Sequence, residues 1–338
     1  MSDIAVAGGQ ASWRDATEAT STWRSPDARR LLQLILAAIW LLDAVLQYQS
    51  FMYSKAFSQM LAGTASGNPS AIASAINWNS RLIAHHSVLI NTIFATVQLL
   101  LALGIAWRPT LRIALAASIA WAVGVWWFGE GLGMVLTPAA SPVNGAPGAV
   151  IIYALLAVLL WPSDRHAATA PFTAARAVGV HVARAAWLVL WASLAYFALL
   201  PGNRTSQGLS GMIGGMASGE PGWLATLDNH AASLLAHQGL AASIVLAIAL
   251  VVIAVGVYLP SPAARATVVL AIVVAALIWV FGEAFGTILT GGGTDPNSGL
   301  LLILLSLAYW PLSRVAAAPP PPAVPAAARE TDEEGAPV

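Results

Sequence analysis

Eight long apolar blocks divide the chain, and they constrain its fold more than any other feature of the sequence. Of the 338 residues 58% are hydrophobic and only 9% are charged, whereas soluble domains carry about 25% charged residues. A helix needs about 20 apolar residues to cross a bilayer. We therefore predict an all-α, polytopic membrane protein with eight transmembrane helices. The blocks lie near 31–50, 83–106, 111–136, 147–162, 180–200, 232–258, 264–289 and 299–313.

The basic residues predict how these helices are oriented. Twelve of the 15 fall on one side of the predicted membrane, and only Lys55, Arg81 and Arg204 fall on the other. Because positively charged loops stay in the cytoplasm, we expect a multi-pass plasma-membrane protein with both termini cytoplasmic. Net charge is zero and no basic surface is evident, so nucleic acid is excluded as a partner. Membrane lipid and other membrane subunits are the partners that we expect.

The chain also contains a tandem repeat. The phrase WWFGEGLGMVLT at 126–137 returns as WVFGEAFGTILT at 279–290, and SQMLAGTASGNP at 58–69 returns as SGMIGGMASGEP at 210–221. Such self-similarity at a fixed period indicates an internal duplication. Four spans per copy bring the chain back to its starting side, so we predict two parallel four-helix repeats. The predicted organisation is a disordered cytoplasmic segment 1–30, a first repeat 31–165, a linker 166–178, a second repeat 179–314 and a disordered, Pro/Ala-rich acidic tail 315–338.

Only three acids fall inside the predicted spans: Asp43, Glu130 and Glu283. A charged group at the bilayer centre costs about 2.5–3.5 kcal/mol, so such a residue normally faces the protein interior and has a partner there. His85 and His237 enter the second and sixth spans from the same side as the two glutamates. We therefore predict two catalytic or proton-exchanging pairs near the outer leaflet, Glu130 with His85 and Glu283 with His237.

Four further residues are candidates for binding a cofactor. Trp126 and Trp279 each precede a repeated glutamate by four residues, which places them on the same helix face. Asp43 and Gln47 in the first span have no polar counterparts in the fifth span. The first repeat is therefore the better candidate for a working site.

Each half resembles the DoxX-like family of small four-helix membrane proteins. The resemblance rests on FSQMLAGTASGNP at 57–69 and on VQLLLALGIAWRPTLRIAL at 97–115. The chain also resembles uncharacterised membrane proteins of high-GC bacteria in LLD at 41–43 and FGEG at 128–131. The resemblance implies a four-helix fold in a bacterial plasma membrane. It also implies a link to quinone-dependent redox chemistry, since some DoxX-like relatives are redox subunits that act on sulfur compounds.

Several functions remain open at this point. In the first, a membrane redox-associated protein holds a quinone or other small molecule near the outer leaflet, and the Glu/His pairs exchange protons with it. In the second, His85 and His237 hold a metal or a haem between the repeats. In the third, Glu130 and Glu283 bind a proton or cation in a proton-coupled transporter of a small solute or metal ion. In the last, the pairs only fix neighbouring helices in a non-catalytic assembly subunit. Whether the protein is an enzyme stays open.

Overall fold

The computed structural model describes residues 27–312, and these residues form α-helices joined by turns, with no strand among them. The predicted tail 315–338, and the predicted N-terminal segment 1–30 except for its last four residues, lie outside the described range. The α-helices are α1 (Ala28–Leu46), α2 (Lys55–Gly63), α3 (Ser70–His85), α4 (Ser87–Ala106), α5 (Leu111–Phe128), α6 (Ala149–Leu159), α7 (Ala175–Val178), α8 (Val180–Ala198), α9 (Gly208–Met216), α10 (Gly222–Leu235), α11 (Gly239–Gly256), α12 (Ser261–Leu277) and α13 (Asn297–Ala308).

Five helical segments of the described chain are long and apolar enough to cross a membrane. They are Ser87–Ala106, Arg108–Phe128, Val180–Ala198, Gly239–Gly256 and Ser261–Thr290. The first helix α1 has 19 residues but carries three charges, Arg29, Arg30 and Asp43. The helices α6 and α13 are apolar but shorter. The fold is therefore all-α, with helices whose length and composition suit a membrane protein.

Two predicted spans end earlier as helices than the sequence suggested. The apolar block 111–136 forms an α-helix only to Phe128, where a turn of 3-10 helix at Gly131–Met134 follows. The block 264–289 is α-helical to Leu277 and continues through a π-turn and the 3-10 segment Ala284–Thr290. In both turns several backbone φ angles are positive, which a regular helix does not allow. The regular α-helix therefore ends inside each predicted span, and an irregular segment follows it.

An aromatic core fixes the helices to one another. The helix α1 packs along α4, α8 packs along α11, and the short helices α6 and α13 pack against each other between them. Trp40 stacks on Tyr153 with ring centroids 4.2 Å apart, and its indole N–H donates to Ser118. Trp187 stacks on Tyr309 at 4.6 Å, and the Tyr309 hydroxyl donates to the carbonyl of Ala183. Burying large rings whose polar tips are satisfied gives both apolar stabilisation and a defined helix register.

Each half contributes a loop that packs against the other half. In the loop before α6, the carbonyl of Ala140 accepts a hydrogen bond from Asn203 at 3.0 Å, and Val143 packs against Leu209. In the loop before α13, the carbonyl of Gly293 accepts from Gln49 at 3.1 Å. The two halves are therefore interlocked, and residues of one half reach the interior of the other.

The predicted linker 166–178 is not a free connection. Phe172 is buried against the Tyr309 ring, 4.9 Å between centroids, and the amide of Ala174 donates to the carbonyl of Ala308. Next to it, Asp164 forms ion pairs with Arg29 and Arg176, each at 3.0 Å. The ion pairs of Asp164 thus hold the start of α1 against the segment that joins the two halves.

We expect Asp164→Asn to destabilise the protein by about 1 kcal/mol at neutral pH, the upper end for exposed ion pairs. The hydrogen bond from Arg29 is the main cause that lowers the pKa of Asp164 in the folded protein. Because the folded pKa lies below the unfolded one, the contribution is full above about pH 4 and is lost as the pH falls through the folded value. Thermal unfolding in detergent should separate wild type from variant at pH 7, and the separation should shrink in acid. Ser163→Ala is the control, because Ser163 binds Arg29 only through its carbonyl. Equal melting of wild type and Asp164→Asn at pH 7 would contradict the prediction.

Candidate functional site

A cavity of about 510 Å³ lies in the first half of the molecule, among the helices α1 to α5. Its size is within the range of pockets that bind small molecules, about 300–1,000 Å³. Most of its wall is apolar, and aromatic rings come from every one of the surrounding helices. The aromatic lining residues are Trp40, Phe57, Trp78, Phe94, Trp121 and Phe128.

Three carboxyl groups line the same cavity. Asp43 comes from α1, Glu130 from the turn after α5, and Asp295 from the loop before α13. Asp295 belongs to the second half and arrives through the interlocked loop described above. The residues that line this cavity include no lysine, arginine or histidine. The site is therefore acidic and aromatic, without a basic side chain in its wall.

The helix α1 presents its polar residues to the cavity because of their spacing. Trp40, Asp43 and Gln47 all line it, at intervals of three and four residues that share one helix face. Asp43 is only 1% exposed, and its Oδ2 accepts a 2.5 Å hydrogen bond from the Tyr153 hydroxyl. Asp43 Oδ1 and Gln47 Oε1 have no hydrogen-bond partner among the described residues. Each of these two residues of the cavity wall therefore has an unsatisfied acceptor.

Each repeated glutamate lies at the N-terminus of the short helix that follows it. Glu130 Oε1 accepts from the amide of Val150 in the first turn of α6 at 3.3 Å. Glu283 accepts from the Ser298 hydroxyl and, at 2.8 Å, from the amide of Gly299 in the first turn of α13. Free backbone N–H groups and the helix dipole favour a negative charge at this position. The repeated glutamate thus has a structural role that the sequence did not indicate.

The two glutamates differ in how completely they are bonded. Glu283 is 2% exposed, and both of its oxygens accept a hydrogen bond. Glu130 has one bonded oxygen, while its Oε2 lies against Gly148 without a hydrogen-bond partner among the described residues. Only Glu130 lines the cavity. Only the first glutamate therefore combines an unbonded oxygen with a place in the cavity wall.

The predicted pairing of each glutamate with a histidine is wrong in the described structure. His85 ends α3, His237 lies in the turn between α10 and α11, and both side chains are exposed. Neither is a hydrogen-bond partner of Glu130 or Glu283 in the described chain. The block 83–106 is not one helix, because the backbone bends at His86 and α4 begins only afterwards. This bend leaves the histidine outside the bundle, and the carboxylates bind helix amides that are nearer.

The predicted cofactor-binding residues divide into two groups. Asp43 and Gln47 line the cavity, whereas Trp126 and Trp279 do not. The indole of Trp126 donates to the carbonyl of Pro147 at 2.8 Å, and that of Trp279 donates to the carbonyl of Pro296 at 2.7 Å. These two tryptophans hold the loops before α6 and α13 in place.

Three further residues of the cavity wall were not predicted from the sequence. Trp121 and Gln98 both line the cavity. The indole N–H of Trp121 and the Oε1 atom of Gln98 have no hydrogen-bond partner among the described residues. Gln98 carried a usable signal, since it is a polar residue in the middle of an apolar span. Asp295 carried none, because it lies in a Gly-rich turn sequence and reaches the cavity only through the interlocked loop.

The corresponding positions of the second half are apolar. At the offsets that align the two copies, Asp43 matches Leu194, Gln47 matches Ala198, Gln98 matches Leu250 and Trp121 matches Val274. All four of these second-half residues are buried in the hydrophobic core. In the second half, aliphatic side chains therefore occupy the space that corresponds to the cavity of the first half.

A metal site has little support in the described chain. Among residues 27–312 no group of three or more His, Asp or Glu side chains is placed to hold a metal ion, and the sequence has no cysteine. The metal site predicted at His85 and His237 therefore lacks a third such ligand in this range.

No protein-family model, curated protein or solved structure matches the chain. The resemblance to DoxX-like proteins stays a prediction, and the function has to be argued from the cavity itself.

Proposed function

We propose that the protein is an integral plasma-membrane protein that binds a lipophilic organic cation in the first-half cavity and exchanges it for protons. The proposal includes eight spans in two parallel four-helix repeats, with both termini in the cytoplasm. The order of helices supports it, since α1 to α6 are followed, after the short α7, by α8 to α13 in the same sequence of long and short elements. The two Trp–Pro hydrogen bonds support it as well.

The observation that carries the proposal is a cavity with three carboxyl groups and no basic side chain in its wall. Burying a single carboxylate in a low-dielectric interior costs several kcal/mol unless a positive charge compensates it. Hydrogen bonds from neighbouring donors offset part of this cost at each of the three carboxyl groups. We expect protons or a positively charged ligand to supply the rest. Because both bind to the same oxygen atoms, a cationic ligand displaces protons when it enters. Proton exchange therefore follows from the composition of the wall.

The aromatic wall selects an organic cation over a metal ion. Hard metal ions require about six or more converging oxygen ligands, and among the described residues no group of three or more His, Asp or Glu side chains is placed to hold a metal ion. A cation placed against an aromatic face gains about 2 kcal/mol when the site is desolvated. Six aromatic residues and about 510 Å³ of space suit a bulky ammonium or phosphonium group with apolar substituents.

The test is equilibrium binding of tetraphenylphosphonium to the purified protein in lipid nanodiscs. We expect saturable binding that weakens as the pH is lowered, because protons compete for the carboxylates. Asp43→Asn and Glu130→Gln should each weaken binding at least tenfold, about 1.4 kcal/mol. Glu283→Gln is the matched control, since this residue has the same motif but does not line the cavity.

Two outcomes would count against the proposal. One is binding of the neutral analogue triphenylphosphine oxide as tightly as the cation, which would show that charge is not recognised. The other is equal weakening by Glu283→Gln and Glu130→Gln. In proteoliposomes, uptake of the cation driven by a pH gradient would distinguish an exchanger from a protein that only binds.

A quinone is the second candidate ligand, and one observation favours it. Trp121 lines the cavity and its indole N–H has no acceptor among the described residues, and a quinone carbonyl oxygen would supply one. Asp43 and Glu130 would then exchange protons with the ring oxygens. Solvent extraction of the purified protein should recover about one quinone per chain, and Trp121→Phe should reduce that amount. Recovery of no quinone would leave the cation proposal alone.

A further inference from the structure

A second pocket, of about 460 Å³, lies at the opposite end of the first half from the carboxyl cavity. It is placed where α5 begins, α6 ends and α7 passes beside them. Its lining includes two arginines and a serine together with apolar side chains. These residues are Arg112, Val158, Trp161, Ser163, Arg165, Ala177 and Val178.

The pocket is positively charged. No carboxylate is among its lining residues. The carboxylate closest in sequence, Asp164, is shared by Arg29 and Arg176 and is neutralised by them. Within residues 27–312 neither Arg112 nor Arg165 forms an ion pair, and both are exposed. Arg112 makes only a long hydrogen bond, 3.4 Å, to the carbonyl of Pro162. Two guanidinium groups are therefore available to an anion.

Apart from the two arginines and Ser163, the lining side chains are apolar, and this apolar part continues onto the outer surface of the helices. Val158 of α6 lines the pocket and is 39% exposed. Ile113, next to Arg112 on α5, is 74% exposed. In a membrane protein such surfaces contact acyl chains, and Trp161 at the end of α6 is the type of residue that lies at the headgroup level. The ligand that fits is amphiphilic, with an anionic group at one end and an apolar chain at the other.

We propose that this pocket binds an anionic phospholipid, with its phosphate between Arg112 and Arg165 and an acyl chain along Val158. The planar guanidinium matches phosphate in a bidentate geometry. Basic pockets between membrane helices on the cytoplasmic side are a recurrent form of headgroup site. The apolar continuation at Val158 favours a lipid over a free phosphate ion. This site is independent of the cation that we propose for the other cavity.

The experiment is native mass spectrometry of the purified protein titrated with phosphatidylglycerol or phosphatidylcholine of identical chains. We expect the wild-type protein to retain phosphatidylglycerol with at least tenfold preference. Arg112→Gln and Arg165→Gln should each reduce this preference several-fold, and the double variant should lose it. Arg265→Gln is the matched control, because Arg265 occupies the position of Arg112 at the start of α12 and is likewise exposed.

Three results would overturn the proposal. They are equal retention of the two lipids by wild type, an equally large effect of Arg265→Gln, and displacement of phosphatidylglycerol by millimolar inorganic phosphate. An equally large effect of Arg265→Gln would show that phosphatidylglycerol responds to the total positive charge of this side of the protein and has no defined site. The third would assign the pocket to a soluble anion. If a glutamine variant does not fold, Arg112→Lys and Arg165→Lys keep the charge and remove the bidentate geometry, and they should still lower the preference.

Discussion

Replacing Gly124 by phenylalanine is expected to abolish tetraphenylphosphonium binding while the protein stays folded. Gly124 lies within α5 and lines the carboxyl cavity. A Cβ atom built on it would meet no other atom within 4 Å, so there is room for a side chain. A phenylalanine ring would occupy the space that we assign to the ligand.

The expected effect is at least a hundredfold weakening of binding, about 2.8 kcal/mol at 1.4 kcal/mol for each factor of ten. Folding should not suffer, because phenylalanine is a somewhat better helix former than glycine and the position has room for a side chain. Binding is measured by the same nanodisc titration, and folding by thermal unfolding without ligand. Gly124→Ala adds little volume and should change affinity far less.

The matched control is Gly211→Phe in α9 of the second half, where a Cβ atom also has open space. It adds the same ring at a glycine that does not line the cavity. A folded Gly124→Phe protein that still binds tetraphenylphosphonium with wild-type affinity would show that the ligand binds elsewhere.

Much of the helical framework was predictable from the sequence, because hydropathy is a local property. The block predicted at 180–200 is the helix Val180–Ala198, and the block at 232–258 contains Gly239–Gly256. The ends of the spans were less predictable. Positive φ angles at residues such as Leu132 and Phe285 allow the chain to turn back inside an apolar stretch. Mean hydropathy does not distinguish an apolar turn from an apolar helix.

The partners of the buried acids were not predictable in the same way. The sequence predicted that the partner of Glu130 is a side chain, that of His85. The donor is instead the backbone amide of Val150. Because almost every residue has a backbone amide, the residue type does not show which amide is the donor. Asp295 reaches the first-half cavity only because loops are exchanged between halves, which is a property of the three-dimensional packing.

The repeated residues were predicted as site residues, but most of them have a structural role. Residues written twice, such as Trp126 with Trp279 and Glu130 with Glu283, bond to the backbone of the loop or helix that follows them. Asp43, Gln47 and Gln98, whose counterparts in the second copy are apolar, line the cavity together with the shared Glu130. In a duplicated chain the shared residues maintain the common framework, so a site present in only one copy is found among the residues that break the symmetry.

Gly133→Ala is expected to destabilise this framework strongly, by about 2–6 kcal/mol. Gly133 has a φ angle of +61°, and a Cβ atom there would overlap the carbonyl group of Pro147. A left-handed conformation costs a residue other than glycine about 1–3 kcal/mol, and overpacking costs about 1–3 kcal/mol more. The Pro147 carbonyl cannot simply move away, because it accepts the Trp126 hydrogen bond at 2.8 Å.

The measurement is thermal unfolding and the yield of monodisperse protein in detergent. Gly215→Ala in α9 is the matched control, since Gly215 is helical and a Cβ atom there has open space. It should be neutral or stabilise the protein by up to about 1 kcal/mol, because alanine favours the helix. A Gly133→Ala protein that melts like the wild type would mean that the turn after α5 does not contact Pro147. In that case the position of Glu130 at the start of α6, on which the acidic wall of the cavity depends, would be lost as well.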